Sequence, residues 1–179
     1  MKKRNFMRIE SGDNVDIYFA TEENLDSIAE LYVCNHKKTY RGLLSDEYLD
    51  SLTVETAKNR WADYLCNEKN KLWTAFDGKT FLGFVAATED EELENTWYLD
   101  SLHVNENARG IGVGTALIKT VTEYAVKNGY ESMSICVVKG NEKAKNLYLK
   151  LGAEPYKDFE DNFGKTHTNS EKLIWKSLT

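Results

Sequence analysis

The residues that point most directly to chemistry are Arg109-Gly110-Ile111-Gly112-Val113-Gly114. Each glycine carries a conformational-entropy cost of roughly 0.5–1 kcal/mol relative to alanine inside regular structure. Three alternating glycines therefore mark a place where bare main chain gains something by close approach. At a helix start the first N–H groups lack internal partners, and the helix dipole favours negative charge. Arg109 adds a permanent cation with a fork of donors. This pattern suits the holding of a phosphate or pyrophosphate. The plain alternative is a tight turn whose glycines only allow close packing, and the local sequence leaves both open.

The flanking residues supply the elements such a cradle needs. Residues 97–104 are dense in aromatic and β-favouring types and bounded by polar ones, which predicts a strand. Residues 105–108 read as a loop. Residues 115–128 place Leu117, Ile118, Val121, Tyr124 and Ala125 on one helical stripe, with Gly129 placed to follow the last turn.

A length of 179 residues suits one domain over 1–179, with 1–12 as a flexible or peripheral N-terminal segment. At 41% hydrophobic, the chain has enough apolar side chain for a core, and 29% charged residues excludes nothing globular. A net charge of −6 argues against non-specific nucleic-acid binding and favours a cationic small substrate. Cys34, Cys66 and Cys136 have no metal-ligand or disulfide spacing and fit reduced thiols in a cytoplasmic protein. His36, His103 and His167 add no ligand pair, so no metal is expected and the histidines read as structural or surface residues. Met1-Lys2-Lys3-Arg4 is basic, but no apolar segment follows, so it does not read as a signal peptide. The longest apolar run, residues 81–87, is too short for a bilayer, and no membrane partner is expected.

Taken in order, residues 15–20 predict a strand and Thr21 the cap of a helix with Leu25, Ile28, Ala29, Leu31 and Tyr32 inward. Tyr40-Arg41-Gly42 ends that helix. Ser45 and Thr53 cap two more, the second with Ala57, Trp61, Tyr64 and Leu65 as its stripe. Residues 71–76 and 80–88 are strands around the hairpin signal Asp77-Gly78. An acidic loop, 89–95, leads into the strand at 97. Residues 132–138 form an interior strand, and Asn141 opens a helix with Ala144, Leu147, Tyr148 and Leu151 inward, closed by Gly152. Strands are expected at 156–159 and 170–178. This order predicts an α/β (α+β) fold: a mixed, mostly antiparallel sheet of about six to seven strands with helices on both faces.

A dinucleotide-binding unit fits less well. Its fingerprint G-x-G-x-x-G fails at Thr115, the acidic residue expected after the next strand is missing, and an antiparallel meander precedes the motif. No G-K-[ST] occurs, which excludes a P-loop.

Arg109-x-x-Gly112-x-Gly114 resembles the acetyl-CoA pyrophosphate motif of the GNAT superfamily of N-acetyltransferases. Asn141-x-x-Ala144-x-x-x-Tyr148-x-x-x-Gly152-Ala153 resembles the segment that follows it there, and the order of elements matches from about Val15 to Leu178. Tyr40-Arg41-Gly42-Leu43-Leu44 is similar to the acceptor-side loop of many small-molecule members. The resemblance implies a splayed sheet, acetyl-CoA as co-substrate, and transfer of its acetyl group to a primary amine. It implies that main chain at Leu102, His103 and Val104 pairs with the pantetheine arm like an added strand. Backbone N–H groups across Arg109, Gly110, Ile111, Gly112, Val113 and Gly114 would hold the pyrophosphate. Asn141 would bind the arm, and Tyr148 would protonate the departing thiolate. Residues seven apart lie nearly on one helical face about 10 Å along, so one extended arm could touch both. Each has a plainer reading, Tyr148 as core and Asn141 as helix cap.

A free alkylamine has a pKa of about 10.4, so under ~0.1% is unprotonated at neutral pH, and a base is required. Asp100 is the candidate, with Glu89 behind it; a solvated or paired Asp100 is the alternative. Tyr40, Tyr48, Trp61 and Trp97 could line an acceptor pocket or fill the core. A covalent cysteine route is disfavoured, because no cysteine has a histidine at diagnostic spacing. The acceptor is expected to be a small-molecule amine, with protein N-termini or lysines as the alternative. A non-catalytic acyl-CoA sensor is the rival class, and a homodimer is compatible with the sequence.

Overall fold

A computed structural model describes residues 15–178, so the segment expected over 1–12 lies outside the described residues. The strands are β1 Asp16–Phe19, β2 Lys71–Asp77, β3 Thr80–Glu89, β4 Thr96–Val104, β5 Ser132–Val138, β6 Glu154–Phe163 and β7 Thr166–Trp175. The helices are α1 Leu25–Thr39, α2 Asp46–Ser51, α3 Val54–Cys66, α4 Val113–Lys127 and α5 Glu142–Lys150. All seven strands share one sheet in the order β1-β2-β3-β4-β5-β7-β6. Neighbours are antiparallel except β4 and β5, which run parallel with α4 as their crossover. Among the described residues no helix is long and apolar enough to cross a membrane.

Alternation along the strands decides which face each residue serves. Val85 opposite Leu102 and Ala87 opposite Leu99 point one way; Phe84 opposite His103 and Ala86 opposite Ser101 point the other. The first face packs Trp97, Leu99, Met133, Ile135 and Leu173 beneath Leu117 and Val121 of α4 and Tyr148 of α5. On the second face Ile28, Tyr32 and Trp61 of α1 and α3 close over Leu72, Phe84 and Ala86. Leu44, Leu49 and Val138 form a smaller group that seats α2. The starts of α2 and α3 follow the expected caps, with Ser45 Oγ accepting from the Tyr48 N–H and Thr53 Oγ1 from the Thr56 N–H, whereas Thr21 precedes a short 3-10 turn and Asn24 is the N-cap of α1.

Toward β5 and β7 the second face turns polar, because Cys136 is opposite Lys172 and Val138 opposite Ser170. The Lys172 and Asp90 side chains are 5% and 2% exposed, with Nζ 2.7 Å from Asp90 Oδ2 and 3.0 Å from Glu92 Oε2. The Ser134 hydroxyl also donates to Asp90. Burial alone would raise the Asp90 carboxyl, but the hydrogen bonds from Lys172, Ser134 and the Glu92 main chain together hold it below its ordinary value. The acidic loop is thereby pinned to the sheet.

Two expected boundaries move. α4 starts at Val113 rather than Thr115, because Gly112 itself takes the left-handed turn at φ +93° that ends the preceding loop. The last hairpin is longer than strands at 156–159 and 170–178: β6 and β7 pair from Glu154 opposite Ile174 to Phe163 opposite Thr166. β6 is the edge of the sheet and mostly exposed, so its sequence lacks the apolar alternation that marks a strand.

Replacing Asp90 with Asn should leave the buried Lys172 ammonium with Glu92 as its carboxylate partner and cost about 2 kcal/mol, measured by urea unfolding at neutral pH. Asp90 is depressed in the folded state, so its contribution is complete above the ordinary carboxylate range and fades as pH falls through the folded value. The gap between wild type and Asp90→Asn should close at acid pH.

Candidate active site

β4 and β5 pair only from Thr96 opposite Ser132 to Leu99 opposite Ile135, and beyond that they part. The parting starts at Asp100. Ala86 pairs with Ser101 and Ala87 with Leu99, so Asp100 is the extra residue of a bulge. A bulge adds local twist and bends its strand, which carries β4 away from β5.

The parting leaves main chain unpaired. The Asn105 N–H donates to the Leu82 carbonyl at 2.7 Å. A Cβ on Gly83 would stand 2.4 Å from the His103 carbonyl oxygen, so only glycine allows β3 and β4 to approach there. His103 thus turns its main-chain groups toward β3, and alternation turns those of Leu102 and Val104 into the gap. Of the three residues expected to pair with an extended arm, Leu102 and Val104 present main-chain groups to the gap, and His103 spends its own on β3. The Val104 carbonyl already accepts from Asn35 Nδ2 at 3.2 Å and Arg109 Nε at 3.3 Å.

The glycine loop follows at the end of β4. Gly110 and Gly112 have φ +81° and +93°, and open space lies where each Cβ would stand. Glycine is required there by conformation, since a left-handed L-residue costs roughly 1–2 kcal/mol. Gly112 caps α4 with no side chain, and the Ala116 N–H is the one that bonds back to its carbonyl. The N–H groups of Val113, Gly114 and Thr115 are left facing out of the helix start, where an anion is favoured. Gly114 lies inside α4, within 3.7 Å of Val104 and Leu147 at its Cβ position. Arg109 departs from expectation: its N–H bonds the Glu106 carbonyl, and its guanidinium donates to Asn35 Oδ1 at 2.8 Å. Ile111, between the two left-handed glycines, is exposed.

A cavity of about 340 Å³ opens where the strands part. It gathers Asp100, Leu102, His103, Asn141 and Tyr148, while residues 109–114 stand outside it. Tyr148 is 5% exposed, with its ring edge-on to Trp175 at 6.0 Å. Burial, with the Tyr40 phenol nearby, pushes its hydroxyl well above the usual tyrosine range, so it stays protonated at any physiological pH. Asn141 is the N-cap residue of α5, as expected, but its side chain makes no cap bond. That side chain stands beside the Tyr40 hydroxyl instead.

Asp100 has a side chain 22% exposed, with Arg60 Nη2 at 3.8 Å. Burial raises its carboxyl; Arg60 and a hydrogen bond from Ser101 pull back without cancelling the rise. Arg60 also donates to the Tyr32 hydroxyl at 2.8 Å. His36 and His103 lie 5.5 Å apart between ring centroids, with His103 stacked on Phe84. Burial, then the Arg60 charge, lowers His36 to about 4, and burial holds His103 well below its usual value, so both rings are neutral. Tyr40 and Tyr48 line the cavity, whereas Trp61 and Trp97 are core. Glu89 is engaged by the Tyr130 hydroxyl at 2.9 Å. Cys136 lines the cavity with its thiol raised by burial, which keeps it a poor nucleophile.

A neighbouring cavity of about 450 Å³ shares Tyr98, Asp100 and Cys136 with the first and carries Glu89, Asp90, Glu91, Glu92, Lys157 and Lys172 on its walls. The sequence reading missed Arg60, Tyr32 and His36. Tyr32 and His36 are four apart on the inward side of α1, a spacing that reads simply as core. Among the described residues no cluster of His, Cys, Asp and Glu stands ready for a metal.

The family model described as Acetyltransferase (GNAT) family matches residues 26–153. The chain belongs to the GNAT family. Thialysine N-epsilon-acetyltransferase of Mus musculus is 38% identical over 71 residues, which is 37% of this chain and 42% of that protein, so the chain spans less than half the length of that relative. The uncharacterized N-acetyltransferase YuaI of Bacillus subtilis is 24% identical over 83% of this chain and 84% of its own. PaiA N-acetyltransferase from Thermoplasma acidophilum, solved with coenzyme A, superimposes with a TM-score of 0.72 at 21% identity, covering 90% of this chain and 98% of that one. A point mutant of SpeG spermidine N-acetyltransferase from Vibrio cholerae gives 0.68 at 14% identity over 90% and 93%. These structural likenesses concern the fold, and the GNAT sheet is the one described above.

The Arg60 charge is the larger of the two influences that oppose the rise at Asp100. Arg60→Gln should move the Asp100 carboxyl titration further up, and Arg60→Lys should restore most of the difference. Carbon-13 NMR of the side-chain carboxyl reads both directly.

Proposed function

We propose that this GNAT chain transfers the acetyl group of acetyl-CoA to a primary amine of a small molecule, by direct attack in a ternary complex. The observation that carries the reading is the parting of β4 and β5 after Leu99, with the free main chain of Leu102 beside a cavity that also holds Tyr148 and Asp100. The cradle fits the co-substrate: left-handed glycines open to solvent and an uncapped helix start suit a diphosphate. Once bound, acetyl-CoA supplies an activated thioester.

The chain's own residues divide the work. The N–H groups of Val113, Gly114 and Thr115 hold phosphate oxygens. The gap-facing N–H groups of Leu102 and Val104 bind and polarise carbonyl oxygen. Asn141, whose amide stands against the Tyr40 hydroxyl on the cavity wall, turns its remaining hydrogen-bonding capacity to the pantetheine arm. The Tyr148 hydroxyl, kept protonated by burial, donates its proton to sulfur. Asp100 accepts the ammonium proton; its raised pKa and its place at the junction of both cavities suit a base that must trap a cation.

The acceptor enters on the second face, through the cavity walled by Glu89, Asp90, Glu91, Glu92 and Asp100 against Lys157 and Lys172. This negative balance favours a cationic amine. Two relatives bear names of the same kind, thialysine for the mouse protein and spermidine for the Vibrio cholerae one. A cleft of about 340 Å³ suits a small acceptor.

The decisive measurement is thiol release from acetyl-CoA across a panel of amines. Tyr148→Phe should lower kcat by about 100-fold or more while coenzyme A binding is unchanged. Tight coenzyme A binding with no amine consumed would identify a sensor instead. Asp100 must be ionised to accept a proton, so kcat/KM should fall as pH drops through its raised pKa, and Asp100→Asn should abolish that limb.

A further inference from the structure

Asn35 belongs to no motif that the sequence offers. It sits on α1, is 5% exposed, and spends both ends of its amide on cofactor-side elements. Nδ2 donates to the Val104 carbonyl at 3.2 Å, and Oδ1 accepts from Arg109 Nη2 at 2.8 Å. Arg109 Nε donates to the same Val104 carbonyl at 3.3 Å, which closes a three-membered ring of hydrogen bonds. A buried amide with both ends satisfied is costly to disturb, because any replacement leaves polar groups behind without partners.

The ring joins three pieces of chain with different tasks. Val104 ends the free stretch of β4. Arg109 begins the turn into Gly110 and Gly112. The same helix that carries Asn35 also carries Tyr32, His36 and, at its C-terminal end, Tyr40, which wall the reaction cavity. The sequence assigns Arg109 to the anion as a free cation, whereas in the structure two of its donors are committed to Asn35 and Val104.

We propose that Asn35 is a positioning residue for acetyl-CoA: by holding Arg109 and the Val104 carbonyl, it fixes the glycine loop against the open edge of β4 and ties both to the acceptor wall on α1. This rests on the acetyl-CoA reading above. Removing the ring leaves the loop glycines free to sample other conformations, so phosphate-binding N–H groups and the Leu102 N–H no longer keep one spacing. The loss falls on cofactor binding rather than on the proton transfers at Tyr148 and Asp100.

The test measures coenzyme A binding by calorimetry, with no acceptor and no turnover required. Asn35→Leu and Arg109→Gln should each weaken binding about tenfold or more. The double variant should be no weaker than the poorer single one, because both break the same ring. In steady state Asn35→Leu should raise KM for acetyl-CoA with kcat little changed. Asn35→Asp keeps the acceptor for Arg109 but loses the donor to the Val104 carbonyl, so it should bind more tightly than Asn35→Leu and more weakly than wild type; if Asn35→Leu fails to fold, Arg109→Gln and Asn35→Asp still decide. Binding by Asn35→Leu within twofold of wild type, effects that multiply in the double variant, or a loss confined to kcat would each overturn the proposal. Wild type that ignores coenzyme A would overturn the acetyl-CoA reading itself, and this proposal with it.

Discussion

One inserted residue governs the site. With a regular register, β4 and β5 would stay zipped and every main-chain amide on that edge would be spent within the sheet. Asp100 breaks the register on the β3 side, the strand twists, and pairing to β5 stops one residue earlier at Leu99. Unpaired amides of a sheet interior are expensive unless something bonds them. A gap edged by the Leu102 and Val104 amides leaves hydrogen-bonding capacity open, and the acetyl-CoA reading proposed above fills it with an extended ligand that carries its own amides. The same insertion places a carboxylate at the mouth of the gap it creates.

The two faces of the sheet meet at this gap and bring different chemistry. From the first face, α5 delivers Tyr148 out of an apolar core, so desolvation secures its proton. On the second face, Asp100, Arg60, Tyr32 and two neutral histidines form a partly charged wall. Arg60 tempers the rise that burial imposes on Asp100 and suppresses protonation of His36 and His103. One arginine thus biases the charge state of several groups around it.

Much of this was legible in the sequence. Residues 109–114 announced a helix start with bare main chain, and the spacing of Asn141 and Tyr148 placed them on one helix, because glycine and helical periodicity are local signals. The pairing role of His103 was not readable, since which strand edge a carbonyl faces depends on register with β3. The length of β6 was hidden because an edge strand need not alternate. Arg60 and Asn35 were invisible for a common reason: each acts across elements far apart in sequence, Arg60 on Asp100 and Asn35 on Val104 and Arg109. Side chains that serve a distant partner look, in their own helix, like an ordinary surface cation and an ordinary buried polar.

This geometry has a consequence for order. On the acetyl-CoA reading proposed above, the cradle, the Leu102 edge and Asn141 form the cofactor side, and the negatively walled cavity that shares Asp100 forms the acceptor side. An amine arriving first would find a carboxylate partner but no acyl group, and nothing on its own side to hold the strands in place. A ligand lying in the gap replaces the missing strand pairing and stiffens the wall that Tyr32, His36 and Tyr40 present. On that reading, binding on the cofactor side prepares the acceptor side, through main-chain pairing at β4 and through the helix that carries both Asn35 and the acceptor wall.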